Sequence, residues 1–181
     1  AFGEMPGAYM NLAIGSFLLI YYSVVLGASA AAISLVLGVA LFLDAICDPL
    51  VGAFSDQVKS RLGRRHPLMY AASIPMGVFI CLLFTPPQGL SATSLIVWLA
   101  FFLIMTRITF TFFSVPWSAL IAEFSDDYEQ RTVIASYRTL IGPLLGGISS
   151  TLILTFIFIG TPDIPKGQEN LENYNLFGPL I

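Results

Sequence analysis

Three stretches of the chain, residues 5–43, 66–106 and 139–162, contain no Asp, Glu, Lys or Arg. Each exceeds the roughly 20 residues with which a helix crosses a bilayer. Backbone in lipid must satisfy its own hydrogen bonds, so runs of this kind fold as membrane-spanning helices. Of the 181 residues 56% are apolar and only 10% charged, against about 25% charged in soluble domains. The eight Lys and Arg cannot form a basic stripe, which excludes nucleic acid as a partner. Cys47 and Cys81 lie inside apolar runs, where cysteine acts as a small core residue. The one histidine, His66, stands at a loop edge, and no nucleophile, base and orienting group occur together. The chain therefore reads as neither an enzyme nor the holder of a resident cofactor.

Dividing the apolar runs at their turn residues gives an all-α membrane protein with five spans. They cover residues 7–26, 32–54, 67–84, 92–120 and 132–159, and a sixth begins near Leu176. Gly27-Ala28-Ser29 breaks the first run, and Thr85-Pro86-Pro87-Gln88-Gly89 ends the third, since neither proline continues a helix. The first run has no Lys or Arg before it and reads as a retained span rather than a cleaved leader. Short loops place the spans in one bundle over residues 1–181, and Gly142, Gly146 and Gly147 suit close helix approach. The second loop holds Lys59, Arg61, Arg64 and Arg65, whereas the first and third hold no cation, which puts the N-terminus in the cytoplasm. The chain starts without Met and ends at Gly178-Pro179-Leu180-Ile181 as if entering a further apolar segment, and so reads as part of a longer protein.

Span two carries two charges at a depth where charge is expensive. Asp44 and Asp48 stand four residues apart, one turn from each other on one helix face. A carboxylate at the bilayer centre costs about 2.5–3.5 kcal/mol on insertion scales, and a second one nearby adds repulsion. Pro49 removes a backbone donor, which frees the carbonyl of Ala45 between the two carboxylates. Two readings follow. The aspartates either neutralise Arg107 in span four and Arg138 in span five as a structural device, or they form a cation site.

The second loop contains Gly52, Asp56, Lys59, Arg61, Gly63, Arg64 and Arg65. Its arginines suit an anionic membrane surface. The glycines permit tight turns or close helix contact, and Asp56 either caps the next helix or pairs with an arginine of another bundle, as a gate.

Three blocks carry a resemblance. They are Asp44-Ala45-Ile46-Cys47-Asp48-Pro49-Leu50-Val51-Gly52 through Ser55-Asp56; Ser60-Arg61-Leu62-Gly63-Arg64-Arg65-His66-Pro67; and Val115-Pro116-Trp117-Ser118-Ala119-Leu120 followed by Glu123, Arg131 and Tyr137-Arg138. With them, the chain resembles the N-terminal part of the major facilitator superfamily's glycoside, pentoside and hexuronide cation symporters. The resemblance implies two six-helix bundles, of which this chain supplies most of the first, and transport by alternating access. It implies that Asp44, Asp48 and the hydroxyl of Thr111 hold the coupling cation, a proton or a sodium ion. It also implies that Arg138, Trp117, Ser114 and Glu4 line the pocket for a saccharide or glycoside. Gly52, Asp56, Arg61, Gly63, Arg64 and Arg65 would form the cytoplasmic gate.

Departures from the family pattern narrow these expectations. Cys47 stands where the melibiose permease has an asparagine, and Ser114 where it has a sugar-binding carboxylate. Fewer carboxylates beside Arg138 suit an anionic sugar such as a hexuronide. The expected protein is a multi-pass cation-coupled symporter of an inner or plasma membrane. Its partners are a small saccharide, the lipid bilayer and a C-terminal bundle of the same protein. The rivals are a lysophospholipid transporter of the same fold and a non-transporting substrate sensor.

Overall fold

The structure is a computed structural model and describes residues 5–58, 60, 65–120, 128–158 and 167–180. The first span, α1, is a rod built from Met5–Leu12, Ala13–Phe17, Leu18–Ile20 and Tyr21–Val25. It is followed by α2 (Ala30–Gln57), α3 (His66–Phe84), α4 (Ala92–Ala119) and α5 (Tyr128–Phe156). A 3-10 turn, Gly167–Glu169, leads into α6 (Leu171–Leu180). Among the described residues four helices are long and apolar enough to cross a membrane: Pro6–Val25, Ala30–Gln57, His66–Phe84 and Ala92–Ala119. α5, with 29 residues, lies over the expected fifth span, residues 132–159, and is not among those four. The sixth begins at Leu171, five residues before the position expected from the apolar run.

The rod α1 shows how sequence pattern and helix type are matched. From Ala13 onward its buried residues are Ala13, Ile14, Phe17, Leu18, Tyr21 and Tyr22, pairs that recur every four residues. An α-helix turns once in about 3.6 residues, so such a stripe would drift around it by about 40° per repeat. Ala13–Phe17 and Tyr21–Val25 are π-helical, and their wider turns offset that drift and hold the stripe on one face. Two turns beyond the helices need glycine: Gly27 has φ +72° and Gly89 has φ +82°.

α4 is the centre of the bundle. It packs on α3 and α2, while α1 packs on α5 and α6 on α3. The outward faces carry large apolar side chains, among them Leu35, Phe42, Leu50 and Ile74. Lipid is as apolar as these residues, so nothing drives them inward. Inside, Phe17, Tyr21, Phe84, Tyr174 and Phe177 form an aromatic cluster that ties α1, α3 and α6 together. Tyr21 lies 4.3 Å from Tyr174, and Phe84 5.1 Å from Phe177, between ring centroids.

The last carbonyls of α3 have no partner within the helix and no water in an apolar setting. Neighbouring side chains satisfy them. Tyr22 Oη donates to the Leu83 carbonyl at 2.7 Å, and Trp98 Nε1 donates to that of Leu82 at 3.0 Å. Tyr22→Phe removes one donor and should lower stability by about 1–3 kcal/mol, seen as a reduced unfolding temperature in detergent. Small residues set the approach of α1 to α5, because a Cβ at Gly146 would lie 3.1 Å from that of Ala8. Gly146→Val should therefore destabilise by about 1–3 kcal/mol in the same assay. Gly38→Val serves as the control, since a Cβ at Gly38 meets nothing within 4 Å, and it should cost clearly less.

Candidate functional site

Asp44 is at the middle of α2 and Arg107 at the middle of α4, and the packing of these helices brings them together. Arg107 Nη1 donates to Asp44 Oδ2 at 3.0 Å. The two side chains are 20% and 21% exposed, so the pair is shielded but still reachable. Of the two arginines named from the sequence, Arg107 is thus the one seen on Asp44. The side chain of Arg138, in α5, lies outside what the structure describes. Asp48 stands one turn further along α2 and is exposed. Thr111 is one turn from Arg107 on α4 and is buried. The Nε–H of Arg107 is buried without a hydrogen-bond partner.

α1, α4 and α5 line an open cavity of about 580 Å³. Ser114 and Trp117 line it, as do Asn11, Phe110, Phe113 and Thr139. Gly142, Gly146 and Gly147 form the α5 wall, where missing side chains leave room. Among the described lining residues none is charged. The cavity and the ion pair share one helix: Arg107 makes the pair, and Phe110, Ser114 and Trp117 line the cavity. Thr111 and Ser114 are separated by about 4.5 Å of helix rise.

Asn11, Phe110, Phe113 and Thr139 were not expected from the sequence. Asn11 did carry a signal, as the one side-chain amide in the charge-free residues 5–43. The phenylalanines carried none, because aromatic residues in a span face lipid as readily as a cavity. Glu4, expected in the pocket, lies outside the described residues.

The loop differs from expectation in two ways. Asp56, in the last turn of α2, pairs with Arg65 at 3.4 Å and does not cap α3, whose N-cap is Arg65 itself. The Asp56 side chain is 66% exposed, and such a pair adds little stability by itself. Gly52 makes no turn, since α2 continues through it to Gln57. A Cβ there would sit 3.7 Å from Val115 Cγ1, an ordinary contact with α4. Arg61, Gly63 and Arg64 lie outside the described residues.

Comparison with known proteins gives this geometry a family. A putative glycoside/cation symporter of Escherichia coli is 30% identical over 156 residues, covering 86% of this chain and 33% of the relative. The isoprimeverose transporter of Lactiplantibacillus pentosus is 26% identical over 144 residues, 80% of this chain and 30% of that protein. Sodium-dependent lysophosphatidylcholine symporter 1 of Xenopus tropicalis is 32% identical over 182 aligned positions, 100% of this chain and 34% of that protein. The chain spans about a third of the length of these relatives. The model of the MFS/sugar transport protein family matches residues 1–181. With its apolar spans, its mid-membrane ion pair and this match over the whole chain, the protein is an integral, multi-pass membrane protein that belongs to the MFS/sugar transport protein family.

Proposed function

We propose that this chain is the N-terminal bundle of a cation-coupled symporter that carries a saccharide or glycoside by alternating access. The observation that carries the reading is the sharing of α4 between a mid-membrane carboxylate site and a cavity walled by aromatic rings. Charges in membrane helices mark ion or substrate paths by default. The carboxylates of Asp44 and Asp48 and the hydroxyl of Thr111 are all oxygen ligands, which suit a sodium ion, and the carboxylates equally accept a proton. Trp117 offers a ring face to a sugar, while Ser114, Asn11 and Thr139 offer hydrogen bonds to its hydroxyls. Arg138, the residue before Thr139 on α5, and Glu4 complete the proposed pocket, and Arg138 favours an anionic sugar. The names of the relatives, a glycoside/cation symporter and an isoprimeverose transporter, support the same cargo class.

In this reading the cation offsets the repulsion between Asp44 and Asp48, which favours the occluded state once the saccharide has bound. Each ligand then raises the affinity for the other by the same factor. Gly52, Asp56 and Arg65, with Arg61, Gly63 and Arg64, latch the cytoplasmic side against a C-terminal bundle. The N-terminus lies in the cytoplasm, and the membrane is an inner or plasma membrane. A second reading, a lysophospholipid cargo, has its own support in the lysophosphatidylcholine symporter that matches the entire chain. Phe110 and Phe113 would accept an acyl chain as well as they would edge a sugar ring.

The test is uptake into proteoliposomes of the full-length protein under an imposed sodium or proton gradient, with labelled glycosides and a labelled lysolipid. Gradient-driven accumulation of a glycoside supports the proposal. Accumulation of lysolipid alone transfers it to the second reading, and accumulation of neither leaves a sensor. Asp48→Asn should abolish accumulation while the protein still inserts; a variant that accumulates normally contradicts the cation site. Trp117→Ala removes a stacking surface worth about 1 kcal/mol and should raise the half-saturating saccharide concentration about fivefold, measured as initial uptake rate.

A further inference from the structure

Arg107 has no part in the cation and saccharide contacts set out above, yet it occupies the centre of the site. Two carboxylates and one guanidinium leave Asp44, Asp48 and Arg107 with a single net negative charge, which one monovalent cation cancels. The bond to Asp44 is made through one nitrogen, Nη1, and not through the two-pronged fork that an arginine makes with a carboxylate in its strongest form. The Nε–H is buried and has no partner. A guanidinium kept only to hold two helices together gains from satisfying that proton, because a buried unpaired donor costs stability. Both side chains are also about one-fifth exposed, so neither is sealed within the contact between α2 and α4. The contact is thus strong enough to neutralise Asp44 in lipid and open enough to be exchanged.

From this geometry we propose that Arg107 is a tethered stand-in for the coupling ion: it holds Asp44 while the site is empty and yields the carboxylate to a sodium ion. The inference rests on the assignment of Asp44 and Asp48 as the cation site. Arg107 then sets sodium affinity by competition. An ion arriving at Asp44 must displace a positive charge that the protein itself supplies, and affinity falls by the strength of that bond. Without the guanidinium the carboxylates would bind sodium more tightly than a carrier that must release it can use. The pairing also supplies the empty carrier with a partly neutralised site, which is the form in which it must return across the bilayer.

The experiment measures sodium binding to purified full-length protein, with sodium replaced by choline at constant ionic strength and pH. Intrinsic tryptophan fluorescence and unfolding temperature are followed for the wild type, Arg107→Gln and Arg107→Lys. In Arg107→Gln, loss of one opposing charge at contact distance should lower the half-saturating sodium concentration by about tenfold or more. The same variant should be stabilised by sodium more than the wild type is, because a ligand that binds the folded state tighter raises its stability further. Arg107→Lys keeps the charge without the planar group and should fall between the two. An unchanged half-saturating concentration in folded Arg107→Gln overturns the proposal. If the Gln variant does not fold, a Lys variant indistinguishable from the wild type overturns it equally. A wild type that ignores sodium but accumulates saccharide on a proton gradient overturns this inference and leaves the symport reading standing. Absence of any gradient-driven uptake overturns both.

Discussion

The contact between Asp44 and Arg107 is the constraint around which the rest of the bundle is arranged. Either residue alone at mid-membrane would oppose insertion of its helix. Joined at 3.0 Å, they let α2 and α4 lie side by side with charge at the centre of both. Phe54 and Phe112, with centroids 6.3 Å apart, continue that seam toward one end. On its other side α4 packs on α3, and the end of α3 is held by hydroxyl and indole donors from α1 and α4. α4 is therefore the element that the ion pair and the cavity have in common.

The cavity owes its volume to what α5 lacks. Glycines at 142, 146 and 147 remove side chains from the wall, and at Gly146 they also let α1 come close enough to line the same space. Opposite, α4 presents Phe110, Phe113 and Trp117 within two turns. A wall with three glycines thus stands across the cavity from one of aromatic rings. Among the described residues the charged pair lies on Asp44 and Arg107 and the cavity lining is uncharged, with α4 common to both.

Much of this was legible in the sequence. The spans could be read because charge is so costly in lipid that its absence over residues 5–43 or 66–106 leaves few alternatives. Asp44, Asp48 and their two candidate arginines stood out for the same reason. The choice of Arg107 for Asp44 did not, because it depends on how α2 and α4 are rotated about their axes, and in lipid both faces of a helix are apolar. Phe110 and Phe113 were hidden on the same ground. The π-helical turns of α1 became visible only with the buried pairs from Ala13 to Tyr22, whose spacing of four is masked by the apolar residues around them. Asp56 was legible as a pairing residue, but its partner Arg65 could not be told from Arg61 and Arg64 of the same basic loop.

The central claim is that ion and cargo cross together through sites joined by α4. The most direct measurement is electrical: full-length protein in proteoliposomes on a solid support, with equal cation on both sides, receives a pulse of a transported uncharged saccharide. The account predicts a transient current carried by positive charge in the direction of saccharide entry, growing with cation concentration. Saccharide entry with no current at any cation concentration would contradict it.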